Sequence, residues 1–279
     1  MSARSTRAAT VLSPLLVVGC IANAQTLTGE WPAYGGDLGH TRYAPLDQIN
    51  ASNFGSLEIA WRFSVANMGP TPEMRLQSTP LVIDGVLYTT GGMRRAVTAL
   101  DAATGEQLWV FGLNEGARGD QAPRQGSGRG LAFWQRGDDK RVIYVTPGYQ
   151  LVALNADTGR PVESFGENGI VDLKASLDQG GGWDRNQIGT NSPPTIAGDV
   201  IMVPAAHTPL APPNQAKNVV GYIRGFDAVT GRLLWTFHTV PRRGEPGYET
   251  WLNGSAETGG GNAGVWATIS ADPELGLAY

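Results

Sequence analysis

One short pattern occurs three times along this chain and constrains its fold more than any other feature. The copies are residues 99–109 (Ala-Leu-Asp-Ala-Ala-Thr-Gly-Glu-Gln-Leu-Trp), 153–159 (Ala-Leu-Asn-Ala-Asp-Thr-Gly) and 225–235 (Gly-Phe-Asp-Ala-Val-Thr-Gly-Arg-Leu-Leu-Trp). Each copy runs from an apolar strand to an Asp or Asn, and then through two residues to Thr-Gly. Because glycine adopts the positive φ that a tight turn needs, each copy predicts a β-hairpin.

Two of the hairpins end on a large aromatic residue. Trp109 and Trp235 close the first and third copies, and we expect their indoles to pack on a neighbouring copy. In the second copy Glu163 stands where the tryptophan would be, and Phe165 follows two residues later. That unit is therefore expected to dock less well.

A second repeated element precedes two of the hairpins. Residues 78–88 and 192–202 each read as an apolar strand, a tight turn and another apolar strand. Joined to the hairpins they give units of about four strands, the size of propeller blades with insertions. No segment shows a convincing amphipathic helix. The predicted fold class is therefore all-β, a β-propeller built from these repeats.

The two ends of the repeat region read as incomplete units. Residues 57–63 alternate apolar and polar side chains and predict a strand, with Trp61 as the docking aromatic of an initial, degenerate unit. Residues 277–279 begin a strand that has no partner, and an unpaired strand is a poor end for a domain. We therefore expect this chain to be the N-terminal part of a longer protein.

Composition and charge narrow the class of partner. The chain has 279 residues, with 38 Gly and 18 Pro for turns and 41% hydrophobic residues for a core. Its formal net charge is −4, and it becomes −6 once Arg4 and Arg7 leave with a cleaved leader. This acidic balance argues against a nucleic-acid partner.

The first residues have the pattern of an export signal. Arg4 and Arg7 precede an apolar stretch over residues 8–21, and Ala22-Asn23-Ala24 follows as a small-residue cleavage site. The predicted domains are therefore a signal peptide, 1–24, and a partial propeller domain, 25–279, in the periplasm. Cys20 is the only cysteine, which excludes a disulfide, and its context after Val-Val-Gly also allows lipid attachment.

Five further stretches give the chain a family resemblance. They are residues 31–37 (Trp-Pro-Ala-Tyr-Gly-Gly-Asp), 75–80 (Arg-Leu-Gln-Ser-Thr-Pro), 129–134 (Arg-Gly-Leu-Ala-Phe-Trp), 222–227 (Tyr-Ile-Arg-Gly-Phe-Asp) and 272–279 (Asp-Pro-Glu-Leu-Gly-Leu-Ala-Tyr). With the repeats, they resemble the quinoprotein dehydrogenases, which use pyrroloquinoline quinone (PQQ), and within them the periplasm-facing glucose and quinate type. The resemblance implies an eight-bladed propeller with tryptophan-docking repeats, of which this chain would hold about four to five blades.

The resemblance also implies an activity. Members of the family oxidise a sugar, a polyol or another alcohol by hydride transfer to calcium-bound PQQ, and pass the electrons to a quinone or a cytochrome. By position, Gln77, Arg129, Asn191 and Ser192 fall where the family contacts the cofactor. A fixed guanidinium suits a cofactor that carries three carboxylates. The alternatives remain open: a surface arginine at a strand end for Arg129, a strand cap for Gln77, and a plain turn for Asn191 and Ser192.

The chain departs from the family pattern at the calcium site. Where the family supplies an acidic or amide ligand, residues 205–208 read Ala-Ala-His-Thr, and no carboxylate follows until Asp227. The metal ligands are left unassigned, and His207 reads better as a loop histidine than as a ligand. The resemblance implies that the catalytic aspartate and further calcium ligands come after Tyr279. Asp37, Asp101 and Asp227 are not assigned to that role, because their turn positions already explain them.

A second class of function stays open beside the enzyme. Non-catalytic propellers of outer-membrane assembly lipoproteins use the same docking repeat without a cofactor. The lipoprotein-like context of Cys20 and the missing acidic ligand near His207 favour such a scaffold. Saturable binding of PQQ that depends on Arg129 separates the two readings.

Overall fold

The computed structural model describes residues 29–66, 68–177, 187–207, 221–258 and 263–279. The predicted signal peptide, Cys20, the glycine-rich residues 180–183 and the proline-rich residues 208–218 lie outside these residues. Within them, helix is limited to α1 (Ala117–Asp120), α2 (Ser255–Thr258) and 3-10 turns at Phe54–Ser56, Tyr248–Thr250 and Leu252–Gly254. No helix in this part of the chain is long and apolar enough to cross a membrane.

Three antiparallel sheets of four strands form the body of the structure. The first contains β1 (Leu81–Ile83), β2 (Val86–Gly91), β3 (Ala96–Asp101) and β4 (Gln107–Phe111) in sequence order. The second contains β5 (Ala132–Arg136), β6 (Asp139–Val145), β7 (Gln150–Asn155) and β8 (Ile170–Asp172), also in sequence order. We call these sheets blade 1 and blade 2.

Blade 3 has the same meander with one insertion. Its strands are β10 (Thr195–Ala197), β11 (Val200–Pro204), β13 (Tyr222–Asp227) and β14 (Leu233–His238). The insertion holds β12 (Ala206–His207), which pairs with β9 (Ile188–Gly189) ahead of the blade. A final hairpin joins β15 (Ala271–Asp272) to β16 (Leu277–Ala278) through a turn at residues 273–276.

The repeated Asp/Asn-x-x-Thr-Gly sequence forms the turn between the third and fourth strands of a blade. In blade 1, Asp101 Oδ1 accepts hydrogen bonds from the backbone N–H of Thr104 at 2.8 Å and from its hydroxyl at 2.9 Å. Gly105 then adopts φ +74°, a conformation that favours glycine. Asn155 and Asp227 make the same contacts in blades 2 and 3. The turns predicted from the repeat are confirmed.

Successive blades pack face to face. One buried apolar cluster lies between blades 1 and 2 and contains Leu81, Val97 and Val142. A second lies between blades 2 and 3 and includes Ile143 and Ile201. Both clusters draw on strands that are buried along their whole central length, as expected for sheets covered on both faces.

At two junctions a tryptophan packs on the turn of the next unit. Trp61 Nε1 donates to the carbonyl of Ala102 at 3.1 Å, and Trp109 Nε1 donates to the carbonyl of Ala156 at 2.9 Å. These carbonyls belong to equivalent residues, each directly after the Asp or Asn of its turn. The indole of Trp61 therefore makes the contact predicted for it. Trp235, expected to do the same, instead lies against Gly225 of its own blade.

Blade 2 docks on blade 3 by a different pair of side chains. Phe165 is fully buried and lies against Gly231 of the next turn. Phenylalanine has no N–H to offer, and the equivalent carbonyl, that of Ala228, instead accepts a hydrogen bond from Arg141 Nη1 at 2.9 Å. The expectation of weaker docking at this unit overlooked Arg141, which replaces the missing donor.

The incomplete units differ from the sequence prediction. Residues 57–63 are extended but pair with no strand among the described residues, so the strand predicted there is wrong. A strand needs a partner for its backbone groups, and alternation alone does not supply one. Of the about four to five blades expected, three are complete four-stranded sheets among the described residues. The expectation of an unpaired strand at residues 277–279 is also wrong, because β16 pairs with β15.

The docking contact makes a testable demand on Gly159. Its φ is +69°, and a Cβ there would lie 2.5 Å from Trp109 Cε3. Gly85, with φ +76°, has open space at the same point and serves as a matched control. Both alanine variants carry backbone strain of about 1 kcal/mol. We expect Gly159→Ala to lose roughly 1–3 kcal/mol more, because the indole must move.

Urea unfolding of the two alanine variants and the parent protein measures this difference directly. Equal losses of unfolding free energy in Gly159→Ala and Gly85→Ala would show that the indole does not depend on a bare glycine.

Candidate functional site

The predicted site residues share one position in the repeat. Gln77 lies four residues before β1, Arg129 three before β5, and Asn191 and Ser192 four and three before β10. The first strands of the blades lie on the inside, where β5 contacts β10 and β10 contacts β15, while the fourth strands β4 and β14 are largely exposed. Segments entering neighbouring first strands therefore meet at one end of the inner face.

Backbone hydrogen bonds tie these entry segments together. The N–H of Thr79 donates to the carbonyl of Arg129 at 3.0 Å, and the N–H of Arg129 donates to the carbonyl of Asn191 at 2.7 Å. Between them Gly130 has φ +129°, and a Cβ there would lie 2.7 Å from the carbonyl oxygen of Thr79. A glycine at this point permits the close approach of the entries to blades 1 and 2.

Arg129 and Ser192 converge on Trp266. Arg129 Nη1 donates to the carbonyl of Trp266 at 3.3 Å, and its guanidinium carbon lies 5.5 Å from the centroid of the indole ring. Ser192, which is buried, donates its hydroxyl to the same carbonyl at 2.7 Å. The indole itself is 61% exposed. The site thus has a cation beside an accessible flat aromatic surface.

Gln77 is held at the edge of this cluster by Ser127. The N–H of Gln77 donates to Ser127 Oγ at 3.1 Å, and the N–H of Ser127 donates to Glu73 Oε1 at 2.7 Å. The side chain of Gln77 is exposed. Glu73 Oε2 is buried without a hydrogen-bond partner. These contacts fix the backbone around Gln77 and leave its amide at the surface of the site.

Asn191 is held by a buried arginine. Arg95, which is 1% exposed, donates from Nη2 to Asn191 Oδ1 at 2.9 Å. Burial lowers the pKa of Arg95 to about 10, so the guanidinium stays charged at neutral pH. Arg129, Asn191 and Ser192 are therefore joined in one hydrogen-bond network, although they come from two different entry segments, and Gln77 lies outside it on Ser127.

Three arginines lie in or beside the network, and the carboxylates of Glu115 and Glu73 are close enough to act on one of them, Arg95. Among the described residues, Arg95, Arg124 and Arg129 form no ion pair with a carboxylate, in contrast to Arg118 and Arg141, which pair with aspartates. Burial lowers the pKa of Arg124, and the neighbouring charge of Arg129 lowers it further. Arg95 uses all of its donors within the protein, and Arg124 donates to the carbonyl of His207. Arg129, close to an exposed indole, is therefore the arginine that suits a planar anion.

The described residues offer no metal centre. They contain no group of three or more His, Cys, Asp or Glu side chains placed to hold an ion. At the position of the expected first calcium ligand, the carbonyl of His207 accepts hydrogen bonds from Arg124 Nε at 3.1 Å and Nη2 at 2.8 Å. A carbonyl already bound twice by a cation is a poor calcium ligand, so this part of the chain does not fit Ca²⁺.

A large cleft runs along the inner strands but belongs to a different surface. It has a volume of about 1250 Å³ and is lined by the entry to β10, the β15 hairpin and residues 30–40. None of Gln77, Arg129, Asn191 and Ser192 lines it. The candidate site is therefore defined by its side chains rather than by this cleft.

Sequence reasoning missed Trp266, Arg95 and Arg124. Trp266 lies five residues before β15, which is nearly the offset of the predicted residues from their own strands. That shared offset was a usable signal. No such signal exists for Arg95, because its position in the hairpin between β2 and β3 does not reveal which distant loops pack around its side chain.

Comparison with known proteins agrees with this description. The family model "PQQ: Glucose/ethanol/alcohol dehydrogenase, beta-propeller domain" matches residues 31–279. The chain is 33% identical over 274 residues to the dehydrogenase subunit of the alcohol dehydrogenase (quinone) of Gluconacetobacter polyoxogenes, a match covering 93% of this chain and 34% of that relative. It is 31% identical over 279 residues to the quinate/shikimate dehydrogenase (quinone) of Acinetobacter baylyi, covering 90% of this chain and 32% of the relative.

A solved structure shows the same architecture. The quinohemoprotein alcohol dehydrogenase ADHIIG from Pseudomonas putida HK5 superimposes with a TM-score of 0.68 at 27% identity, over 90% of this chain and 34% of that one. The chain spans about a third of the length of the curated relatives it matches. Since the family model covers nearly all of the described residues, the chain belongs to the PQQ-dependent dehydrogenase family, within its β-propeller domain.

Proposed function

We propose that this chain forms part of the PQQ site of a dehydrogenase that oxidises an alcohol, with Arg129 as the main contact to the cofactor. The observation that carries the proposal is the half-buried guanidinium of Arg129, without a carboxylate partner among the described residues, beside the exposed indole of Trp266. PQQ is a flat aromatic anion with three carboxylates. The planar guanidinium of Arg129 suits its carboxylates, and the flat indole of Trp266 suits its aromatic plane.

The residues of this chain bind and orient the cofactor. Arg129 can offer parallel N–H groups to one carboxylate, while Trp266 offers a flat apolar surface. Ser192 holds the backbone of Trp266, so its role is to position the indole. When bound, PQQ supplies the redox chemistry, because it accepts the hydride from the carbon that bears the hydroxyl group.

No described aspartate is assigned as the catalytic base. Hydrogen bonds from the Thr104 side chain lower the pKa of Asp101, and those from Thr230 do the same for Asp227. A lowered pKa and a carboxylate committed to a turn both weaken a general base. These two residues maintain the hairpins, as the sequence indicated.

The finer parts of the proposal rest on the resemblance and on the relatives. The relatives' names, alcohol dehydrogenase (quinone) and quinate/shikimate dehydrogenase (quinone), support a hydroxylated substrate, which we extend to sugars and polyols. They also support a quinone as electron acceptor, and a quinohemoprotein neighbour supports a cytochrome. Ca²⁺ enters the proposal through the family resemblance alone, and none of the described residues is assigned as its ligand.

The proposed compartment is the periplasm. The support is the leader pattern of residues 1–24, with its two arginines, apolar stretch and Ala-Asn-Ala site. Lipid attachment at Cys20 is the alternative processing of the same leader, and it gives the same compartment.

Arg129 provides the direct test. Replacing it with alanine is expected to weaken PQQ binding by about tenfold or more, because a hydrogen bond to a charged group contributes roughly 1.5–3 kcal/mol. Arg129→Lys keeps the charge but not the fork, so an intermediate affinity is expected. Titration with PQQ, followed by quenching of tryptophan fluorescence, gives the dissociation constants.

Arg160→Ala is the matched control for that titration. Arg160 is exposed on the turn of blade 2, so its loss changes the net charge without touching the site. Wild-type affinity is expected for this variant. If Arg129→Ala bound PQQ as tightly as Arg160→Ala, the assignment of Arg129 would be wrong, and a non-catalytic scaffold would become the better reading.

Trp266 gives a second, independent test. Trp266→Ala is expected to weaken PQQ binding by about fivefold, since aromatic contacts contribute roughly 0.5–1.5 kcal/mol beyond burial. Trp266→Phe keeps a flat ring and should lose less. Binding is followed by the absorbance of PQQ itself, because the variants remove a fluorophore.

Trp235→Ala controls for the loss of a tryptophan elsewhere. Trp235 lies on β14 and is 39% exposed. Its substitution should leave PQQ affinity unchanged. If Trp235→Ala weakened PQQ binding more than Trp266→Ala, the assignment of Trp266 as the aromatic contact would be wrong.

A further inference from the structure

Arg95 uses every donor of its guanidinium. Nε donates to the carbonyl of Gly126 at 3.1 Å, and Nη1 donates to the carbonyls of Val145 and Thr190, both at 2.8 Å. Nη2 donates to the carbonyl of Arg124 and to Asn191 Oδ1, both at 2.9 Å. Four of these five acceptors are backbone carbonyls, which belong to blade 2 and to the loops before blades 2 and 3. Asn191 is the one side chain in the set.

This arrangement fixes the orientation of the Asn191 amide. A guanidinium has donors only, so the end of the amide that faces it must be the oxygen. Nδ2 therefore points away from Arg95. Among the described residues no acceptor lies within hydrogen-bond reach of Nδ2, although Asn191 is only half exposed. Nδ2 is not one of the buried polar atoms that lack a partner, so it is open to solvent and available to a ligand atom.

The backbone at Arg95 is also unusual. Its φ is +54°, in the left-handed region that residues with a Cβ rarely adopt. Such a conformation persists where the surroundings fix it, and it is often found near functional sites. The five hydrogen bonds of the side chain supply that constraint here.

We propose that Arg95 is a positioning residue that turns Asn191 so that Nδ2 donates a hydrogen bond to an anionic oxygen of the bound cofactor. The proposal rests on the proposed function, because the ligand is the same PQQ. The amide of Asn191 would then be a second contact to the cofactor, beside Arg129. Arg95 is linked to Arg129 only indirectly, because the N–H of Arg129 donates to the backbone carbonyl of Asn191. The proposal also gives Arg95 a role in binding that differs from packing alone.

Asn191→Asp isolates the donor. The aspartate keeps oxygen acceptors for Arg95 and adds an attractive charge, so the thermal midpoint should be unchanged or higher. The donor is lost, however, and PQQ affinity should fall about tenfold. Asn191→Ala should show the same direction of change in affinity with a lower thermal midpoint. Each titration uses PQQ itself, with fluorescence quenching as the readout.

A double-mutant cycle shows whether Arg95 acts through Asn191. Arg95→Lys keeps the charge but cannot make five hydrogen bonds, so it should weaken PQQ binding about fivefold on the parent background. On the Asn191→Ala background it should weaken binding no further, because the amide it orients is gone. A purely structural role for Arg95 would instead give additive losses in affinity and in thermal midpoint.

The outcomes separate this proposal from the wider one. Wild-type affinity in Asn191→Asp, with binding still lost in Arg129→Ala, would overturn the role of Arg95 and Asn191 alone. Additive losses in the cycle would also overturn it. Absence of PQQ binding by the parent protein would overturn the proposed function and this inference together.

Discussion

Each blade of this structure depends on a donor from its neighbour for one backbone carbonyl. The carbonyl directly after the Asp or Asn of each turn accepts an N–H from the preceding unit, from Trp61 and Trp109 in two cases and from Arg141 in the third. A buried carbonyl left without a donor is costly, so the contact has to be made. In blade 2, Phe165 takes the docking position and Arg141 supplies the donor to the carbonyl of Ala228. The hydrogen bond is therefore kept where the indole is not.

Buried arginines extend the same principle to the site. Arg95, Arg141 and Arg224 are each almost fully buried and donate to backbone carbonyls of another blade or loop. A buried charge is tolerated when its donors are satisfied. Arg95 meets this condition at the inner end of the blades, where the entry segments cross. The residues that hold the blades together therefore also determine where a ligand can bind.

Local features of the structure could be predicted from the sequence, and long-range ones could not. The turns at Asp101, Asn155 and Asp227 depend on hydrogen bonds between residues three positions apart, so both partners can be recognised in a short stretch of sequence. The blade order follows from the repeat. Arg95 contacts residues up to 96 positions away, and no local pattern reports such contacts. The strand prediction for residues 57–63 was wrong for a related reason, because a strand is defined by its hydrogen-bonding partner.

The candidate site was predictable only in part, again for a physical reason. Resemblance placed Gln77, Arg129, Asn191 and Ser192 in one region, and the structure joins the last three through hydrogen bonds. What it adds is a division of labour: Ser192 holds a backbone, Asn191 is turned by Arg95, and Arg129 remains without a carboxylate. An anion bound there would contact residues whose backbones connect the entries to blades 1, 2 and 3. Ligand binding and blade packing are then thermodynamically linked, since whatever stabilises the site stabilises the crossing of the three entry segments.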